Sequence, residues 1–296
     1  MGNNKAIIKL KGHEKFVLRE GWLNKGLQVL STNIGENDYS RIFHDDNAPD
    51  EFGVGSNMVK SIRYWLKAFG LTEDTPGKGV RLRDYGRLIL QYDPCIEDIN
   101  TLWLLHSTIA RNSETSTIWY LFFNKCDIDE FSKFDIEYML DRELQIYSGG
   151  NNYAKSSLKD DIDVMLNMYC KEKTSDYDPE DKNICPLAAL GLVRKVKNGY
   201  RRVQADISKL NEMIILYELN NIFNNNISLS IDQISTGENG LARIYNLNNI
   251  SINTYLDKLE HMGYIRVNRT AGLDVVYLMH EMKNIEIIEE YYKTHR

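Results

Sequence analysis

The sequence predicts a mainly α-helical protein with winged helix-turn-helix-like units at both ends and an apolar helical middle. Three observations carry this expectation. Apolar residues recur at helical spacing along most of the chain, and the helix-breaking residues are sparse, with 19 glycines and 5 prolines. One form also occurs three times: an amphipathic helix, a glycine followed by a large apolar residue, then a short basic segment of strand character. A glycine-capped helix passing into a two-stranded ribbon is how the third helix of a winged unit enters its wing. Glycine is equally the common C-cap of any helix, so ordinary helix-to-strand joints would leave the same trace.

The elements follow in order. Leu18, Trp22 and Leu27 mark a first helix, and Val59, Ile62, Leu66 and Phe69 a second, each with one apolar face. The first copy of the repeated form runs from Trp65 through Gly70-Leu71 to Val80-Arg81-Leu82-Arg83. Between Ile96 and Ile109, and again between Ile118 and Phe123, apolar residues cover every face, which places these segments inside the molecule. Leu158, Ile162, Leu166 and Tyr169 mark another helix, with Ser157 and Asp160 as its N-cap signature. The second copy runs from Leu187 through Gly191-Leu192 into a hairpin, where Asn198-Gly199 predicts a type I′ turn. The third runs from Tyr255 through Gly263-Tyr264 to Arg266–Arg269 and Val275–Leu278. Polar residues gather at Asp45–Glu51, Ser148–Asn152 and Lys171–Lys182. The expected domains are residues 1–92, winged-helix-like; 93–205, helical with a basic hairpin; and 206–296, winged-helix-like with a terminal helix.

Composition narrows the partners. The 296 residues are 43% hydrophobic and 26% charged, as in folded chains, and leave room for two or three compact units. Lys and Arg number 36 against 42 Asp and Glu, a net charge of -6, so any contact with a polyanion must be local. Cys95, Cys126, Cys170 and Cys185 lie far apart in sequence, which excludes zinc-ribbon and CxxC spacing and fits a reducing cytosol. The N-terminal residues lack a signal-peptide apolar region, and no run approaches the ~20 apolar residues of a membrane helix. The expectation is a cytoplasmic protein with no membrane contact.

Two basic segments are candidate nucleic-acid sites. On the helix opening at Gly55, the polar residues Asn57, Lys60, Arg63 and Lys67 lie opposite the apolar stripe, and the following ribbon adds Arg81 and Arg83. Residues 59–91 hold seven basic residues (60, 63, 67, 78, 81, 83, 87) against three acidic ones (73, 74, 84), a local balance of +4. Lys and Arg neutralise phosphates, and Asn and Arg pair with base edges, although a solvated helix face has the same composition. In the second segment Arg194, Lys195, Lys197, Arg201 and Arg202 flank the hairpin turn with no acid between them. Such a ribbon edge can follow a phosphate backbone or dock an acidic protein.

Catalytic signatures are absent from the sequence. The six histidines include no pair at metal-ligand spacing, and His106, on an all-apolar helix, reads as a hydrogen-bonded core residue. The carboxylates around Asp93 and around Asp160 could form a divalent-metal site but fall at expected helix starts, where acids favourably meet the helix dipole. Phe52-Gly53-Val54-Gly55 lacks the features of a phosphate-binding loop and reads as a turn. No cofactor is expected. In the last segment the helix face of Asn253, Thr254, Asp257 and Lys258 has little net charge. Ile285, Ile288 and Tyr292, at i, i+3 and i+7, form an apolar stripe that either binds a protein partner, such as a second copy of the chain, or packs on its own domain.

Three blocks stand out, Phe52-Gly53-Val54-Gly55-x-Asn57-Met58-Val59-x-Ser61-Ile62-Arg63-Tyr64-Trp65, then Asp93-Pro94-x-x-Glu97-Asp98-x-x-Thr101-Leu102-Trp103-Leu104-Leu105-His106, and Thr270-Ala271-Gly272-Leu273. Together they resemble a bacterial family known as domain of unknown function 4007. The pattern departs at Arg83-Asp84, where a Leu-Thr helix start is usual. The resemblance implies a place beside genes for DNA phosphorothioation and phage defence, including sulfurtransferases similar to phosphoadenosine phosphosulfate reductase. It carries no catalytic residues. The resulting expectation is a non-catalytic subunit that binds double-stranded DNA or adapts such a sulfurtransferase, with a homodimer as a further possibility. The alternatives are a metal-dependent nuclease and a purely protein-binding module.

Overall fold

The computed structural model describes residues 6, 8–170, 184–270 and 274–295. The Lys171–Lys182 joint and residues 271–273 of the third family block therefore lie outside the described residues. The chain divides into two compact units, residues 1–201 and 202–296.

In the first unit, α1 (Trp22–Thr32), with Leu23, Leu27 and Leu30 buried, packs against α3 (Ser56–Ala68), where Gly26 lies close to Ile62 and Leu66. The short α2 (Ala48–Phe52) ends at Gly53 in the left-handed conformation, so the first two glycines of the family block do form a turn. A hairpin of β1 (Thr72–Thr75) and β2 (Gly79–Leu82) follows, with Glu73 opposite Arg81. Helix α4 (Asp84–Tyr92) begins directly after it with Arg83 at the N-cap, so the Arg83-Asp84 departure still starts a helix.

Next come α5 (Ile99–Arg111) and α6 (Thr117–Lys125), whose residues are buried on nearly every side, as their unbroken apolar composition requires. Strand β3 (Glu130–Phe131), α7 (Lys133–Tyr147), α8 (Lys155–Cys170), a 3₁₀ turn at Pro186–Leu190, β4 (Val193–Val196) and β5 (Gly199–Arg202) complete the series. Aromatic rings fill the centre, where Trp65 and Trp119 meet edge to face with centroids 5.7 Å apart. His106, fully buried, bonds the Tyr169 hydroxyl through Nδ1 at 2.8 Å, the core role its position suggests.

The second unit runs α9 (Glu212–Phe223), β6 (Ser228–Ser230), α10 (Ile231–Thr236), α11 (Leu241–Ile244), α12 (Asn249–His261), β7 (Ile265–Asn268), β8 (Val275–Leu278) and α13 (Asn284–His295). Its sheet has the order β6-β8-β7. Asn211 and Asn248 cap α9 and α12, each accepting from a backbone N–H of the first turn.

The mainly α, winged-unit expectation is corrected by this architecture. Of the described residues 55% are helical and 11% lie in strands, distributed over three small antiparallel sheets, which is an α/β mixture. Two of the ribbons read as wings are parts of three-stranded sheets. Strand β3 pairs with β5, Phe131 opposite Tyr200, and β6 pairs with β8, Leu229 opposite Val276. A two- or three-residue strand has no periodicity of its own, so only its partner's edge reveals it.

Two local readings change as well. Helix α8 starts at Lys155, so Ser157 lies inside it, and Asp160, Asp161 and Asp163 are mid-helix residues. Asp98, in contrast, does cap α5, accepting from the Asn100 N–H at 2.8 Å. In the basic hairpin Gly199 is the first residue of β5 and not a turn position. Its glycine answers to close approach: a Cβ there would stand 2.3 Å from the Phe131 carbonyl oxygen.

Gly86 has the same explanation and gives a sharp test. Alanine inside a helix is normally worth up to ~1 kcal/mol over glycine. A Cβ on Gly86, however, would lie 2.4 Å from the Leu71 carbonyl oxygen, a backbone atom that cannot rotate away. Gly86→Ala is therefore expected to destabilise by about 2 kcal/mol, seen as a lower denaturation midpoint at unchanged slope.

Candidate nucleic-acid interface

The structure gathers the first basic segment around the β1–β2 hairpin and supplies it with acids. Arg63 and Lys67 both pair with Asp74, at 3.0 and 3.3 Å. Arg81 is hydrogen-bonded to Glu73, Arg83 lies 4.0 Å from the same carboxylate, and Arg87 pairs with Asp38 at 3.2 Å. Glu73 and Asp74 are adjacent in a strand and point to opposite faces of the ribbon, so the two sets of cations do not share one surface. Lys60 donates to its helix neighbour Asn57 at 3.3 Å. The local excess of basic charge is thus largely offset by ion pairs, each worth ~0–1 kcal/mol at the surface.

The second segment differs. Arg194 and Lys195 are exposed on β4 and Lys197 is exposed at the turn. Among the described residues none of the three has an ion-pair partner. The hairpin's other cations are engaged. Arg201 donates through Nε to Glu130 on β3 at 2.6 Å, and Arg202 donates to the Arg243 carbonyl at 3.0 Å within the second unit. Tyr200, which precedes them on β5, stacks on Phe131 with centroids 5.6 Å apart, which braces the sheet from which the exposed cations project.

The C-terminal stripe is placed inward. Ile288 and Tyr292 are each 1% exposed, and α13 packs on α9 within its own unit; Ile285 is half-buried. Ile288 and Tyr292 are thereby taken up by the unit's own core and offer no surface to a partner. Ile288→Val should cost about 1 kcal/mol in the unit's unfolding free energy while leaving self-association unchanged. On α12, Asp257 binds Arg269 at 2.8 Å and Lys258 lies 3.9 Å from Glu212, which leaves this face with little net charge.

The carboxylates considered for a metal hold the chain instead. Asp93, 1% exposed, accepts from the backbone N–H groups of Glu97 and Asp98, both at 3.1 Å. Asp160 pairs with Lys11 and Lys15, Asp163 pairs with Lys133 at 2.5 Å, and Asp161 turns into the core. There it binds a residue the sequence did not single out. His13, fully buried, donates through Nε2 to Asp161 Oδ1 at 3.0 Å and accepts the Lys15 N–H at Nδ1. That pair of bonds fixes the neutral Nε2–H tautomer. The Lys11 N–H donates to the same Asp161 oxygen at 2.8 Å. No sequence signal marks this pair, because its members are 148 positions apart.

A cavity of about 620 Å³ in the first unit is lined by Leu18, Leu23, Leu102, Leu105 and Leu187, with Arg19 and Glu97 among its polar residues. Cys185 also lines it, and burial pushes this thiol up to about 12, so it is not a thiolate nucleophile at neutral pH. Among the described residues no three His, Cys, Asp or Glu side chains converge as if to hold a metal ion, and no helix is long and apolar enough to cross a membrane.

The chain belongs to the family described as protein of unknown function (DUF4007), whose model matches residues 10–292. Its fold is similar to a crystal structure of SspB, at 23% identity and a TM-score of 0.82, covering 98% of this chain and 89% of that one. Magnesium ion-bound SspB is equally similar, at 22% identity and a TM-score of 0.81 over the same shares. At these identities the likeness is one of fold. No curated protein matches the chain.

Proposed function

We propose that this chain is a non-catalytic DNA-binding or adaptor subunit of a bacterial DNA phosphorothioation-type phage-defence system, and that it contacts the phosphate backbone through the β4–β5 ribbon. The observation that carries the reading is the set of exposed cations Arg194, Lys195 and Lys197, unpaired among the described residues, on a hairpin braced by a third strand. Cations that already face a carboxylate must give up that partner to reach a phosphate, whereas no carboxylate among the described residues holds these three. The place in a defence system rests on the family resemblance.

Binding of a duplex by three such contacts should weaken with log salt at a slope of about -2.7, and each cation removed should reduce it by ~0.9. Fluorescence anisotropy with a labelled duplex measures this. Lys195→Ala/Lys197→Ala should bring the slope to about -0.9, and Arg63→Ala/Lys67→Ala should change it less. Equal binding by the parent and the ribbon variant would exclude the ribbon. Co-purification of a sulfurtransferase that is lost with the ribbon variant, in the absence of DNA binding, would favour the adaptor role.

One observation favours a second reading, a metal-dependent nuclease: SspB, similar in fold, has been crystallised with a magnesium ion. Its test is nicking of supercoiled DNA with and without Mg²⁺. Nicking that requires the ion and tracks the chain through purification would support the enzyme.

A further inference from the structure

The three-stranded sheet of the second unit has one face in the core and one outside it. Ile265 and Val276, 2% and 0% exposed, point inward, and Val267 and Leu229 stand in register with Val276. Alternation sends Arg266, Tyr277 and Ser228, which face one another across β7, β8 and β6, to the other side. Asn268, Val275 and Ser230 form the next row there. Arg266 is exposed and the other five are half-buried. None of the six is acidic, and Asp274, one place before Val275, alternates to the opposite face. Three acids beside β7 are engaged: Glu260 accepts the Val267 N–H at 2.7 Å, Asp257 binds Arg269, and Glu290 accepts the Tyr264 hydroxyl at 2.9 Å.

We propose that this outer face binds single-stranded nucleic acid, with Tyr277 as the platform on which a base stacks and Arg266 as the contact to an adjoining phosphate. Among the described residues Tyr277 makes no side-chain hydrogen bond and no ring contact, and Arg266 has no ion-pair partner. The ring is nonetheless held in place, because β8 is the middle strand and pairs on both sides. Every base has a π-face, so a fixed aromatic ring on an outward sheet face takes bases without regard to sequence. A duplex keeps its bases stacked inside and has none to offer, which selects the single strand. Ser228 and Asn268, on the strands either side, supply a hydroxyl and an amide to base edges or sugar. Only Val275 and Tyr277 of the six are apolar, which is too little for an apolar protein contact. The one free charge on the face is positive, as a phosphate backbone requires. This inference does not depend on the duplex contact assigned to the β4–β5 ribbon.

Fluorescence anisotropy of the full chain with a labelled, mixed-sequence single strand of ~12 nucleotides tests the proposal. The parent should bind, and Tyr277→Leu, which keeps apolar bulk without the ring, should weaken binding at least ~5-fold with the circular dichroism spectrum and denaturation midpoint unchanged. Tyr277→Phe keeps the ring and should stay within ~2-fold of the parent. Arg266→Ala should reduce the slope of log K against log salt by ~0.7. The two surfaces fail separately: Tyr277→Leu should leave duplex binding as it is, and in the Lys195→Ala/Lys197→Ala background the Tyr277→Leu loss on the single strand should persist. A parent that does not bind the single strand, a leucine variant that binds it like the parent, or a phenylalanine variant that loses as much as leucine would each overturn the proposal.

Discussion

Replacing Asp161 with alanine is expected to cost the first unit about 3–5 kcal/mol. The carboxyl group is 1% exposed and receives both the His13 Nε2–H and the Lys11 N–H on one oxygen. Removing it strands two donors in a region water does not reach, each costing about 1–3 kcal/mol, and opens a void beside the Tyr64 and Trp65 rings. Asp161→Asn keeps an acceptor oxygen and should be milder. Paired removal, His13→Leu with Asp161→Leu, should also be milder than Asp161→Ala, because no donor on the imidazole is then left behind. Urea titrations followed by tryptophan fluorescence distinguish these outcomes, and a loss below ~1 kcal/mol for Asp161→Ala would show the pair to be incidental. The same Asp161→Ala variant is a poor test of nuclease activity, since it would lose any activity through the fold.

Trp65→Ala should cost about 4 kcal/mol. Trp65 is fully buried, and its ring stacks on His13 at 5.7 Å and 10° and meets Trp119 edge to face. Tyr64 and Phe69 close the cluster, with centroids 4.9 and 6.0 Å from it. The cost combines lost transfer energy with a cavity that stiff neighbouring rings cannot collapse to fill. Burial and the nearby Asp161 raise the Tyr64 pKa well above the usual phenol range. A folded pKa raised above its unfolded value adds no pH dependence while the phenol is protonated in both states. Stability is then lost as pH rises through the unfolded pKa near ~10, because only the unfolded chain can ionise. Trp65→Ala opens this site to water, so the variant's stability should fall less steeply at alkaline pH than the parent's.

Trp65 also shows how much the sequence could reveal. The spacing of Val59, Ile62, Leu66 and Phe69 defines the buried face of α3, and the unbroken apolar runs identify α5 and α6 as interior helices. His106 reads correctly as a core residue from its surroundings in the sequence alone. Periodicity succeeds here because a helix face is a property of residues three and four apart.

The candidate site was only half legible. The sequence by itself determined where basic residues concentrate, on α3 with its ribbon and on the β4–β5 hairpin, and with them the family blocks. Tertiary structure decided which of those charges remain available. Asp74 lies 11 positions from Arg63, and Asp38 lies 49 from Arg87, so only the folding of the hairpin and the preceding loop brings acid to base. Lys195 and Lys197 have no acid partner among the described residues, and Glu130, on the strand paired with β5, is taken by Arg201. Tertiary structure likewise turned the stripe containing Ile288 and Tyr292 inward onto α9 and left Phe134 and Tyr138 in solvent. Helical spacing shows that a stripe is apolar, but its burial depends on whether another element lies within contact distance, and a local pattern does not contain that distance.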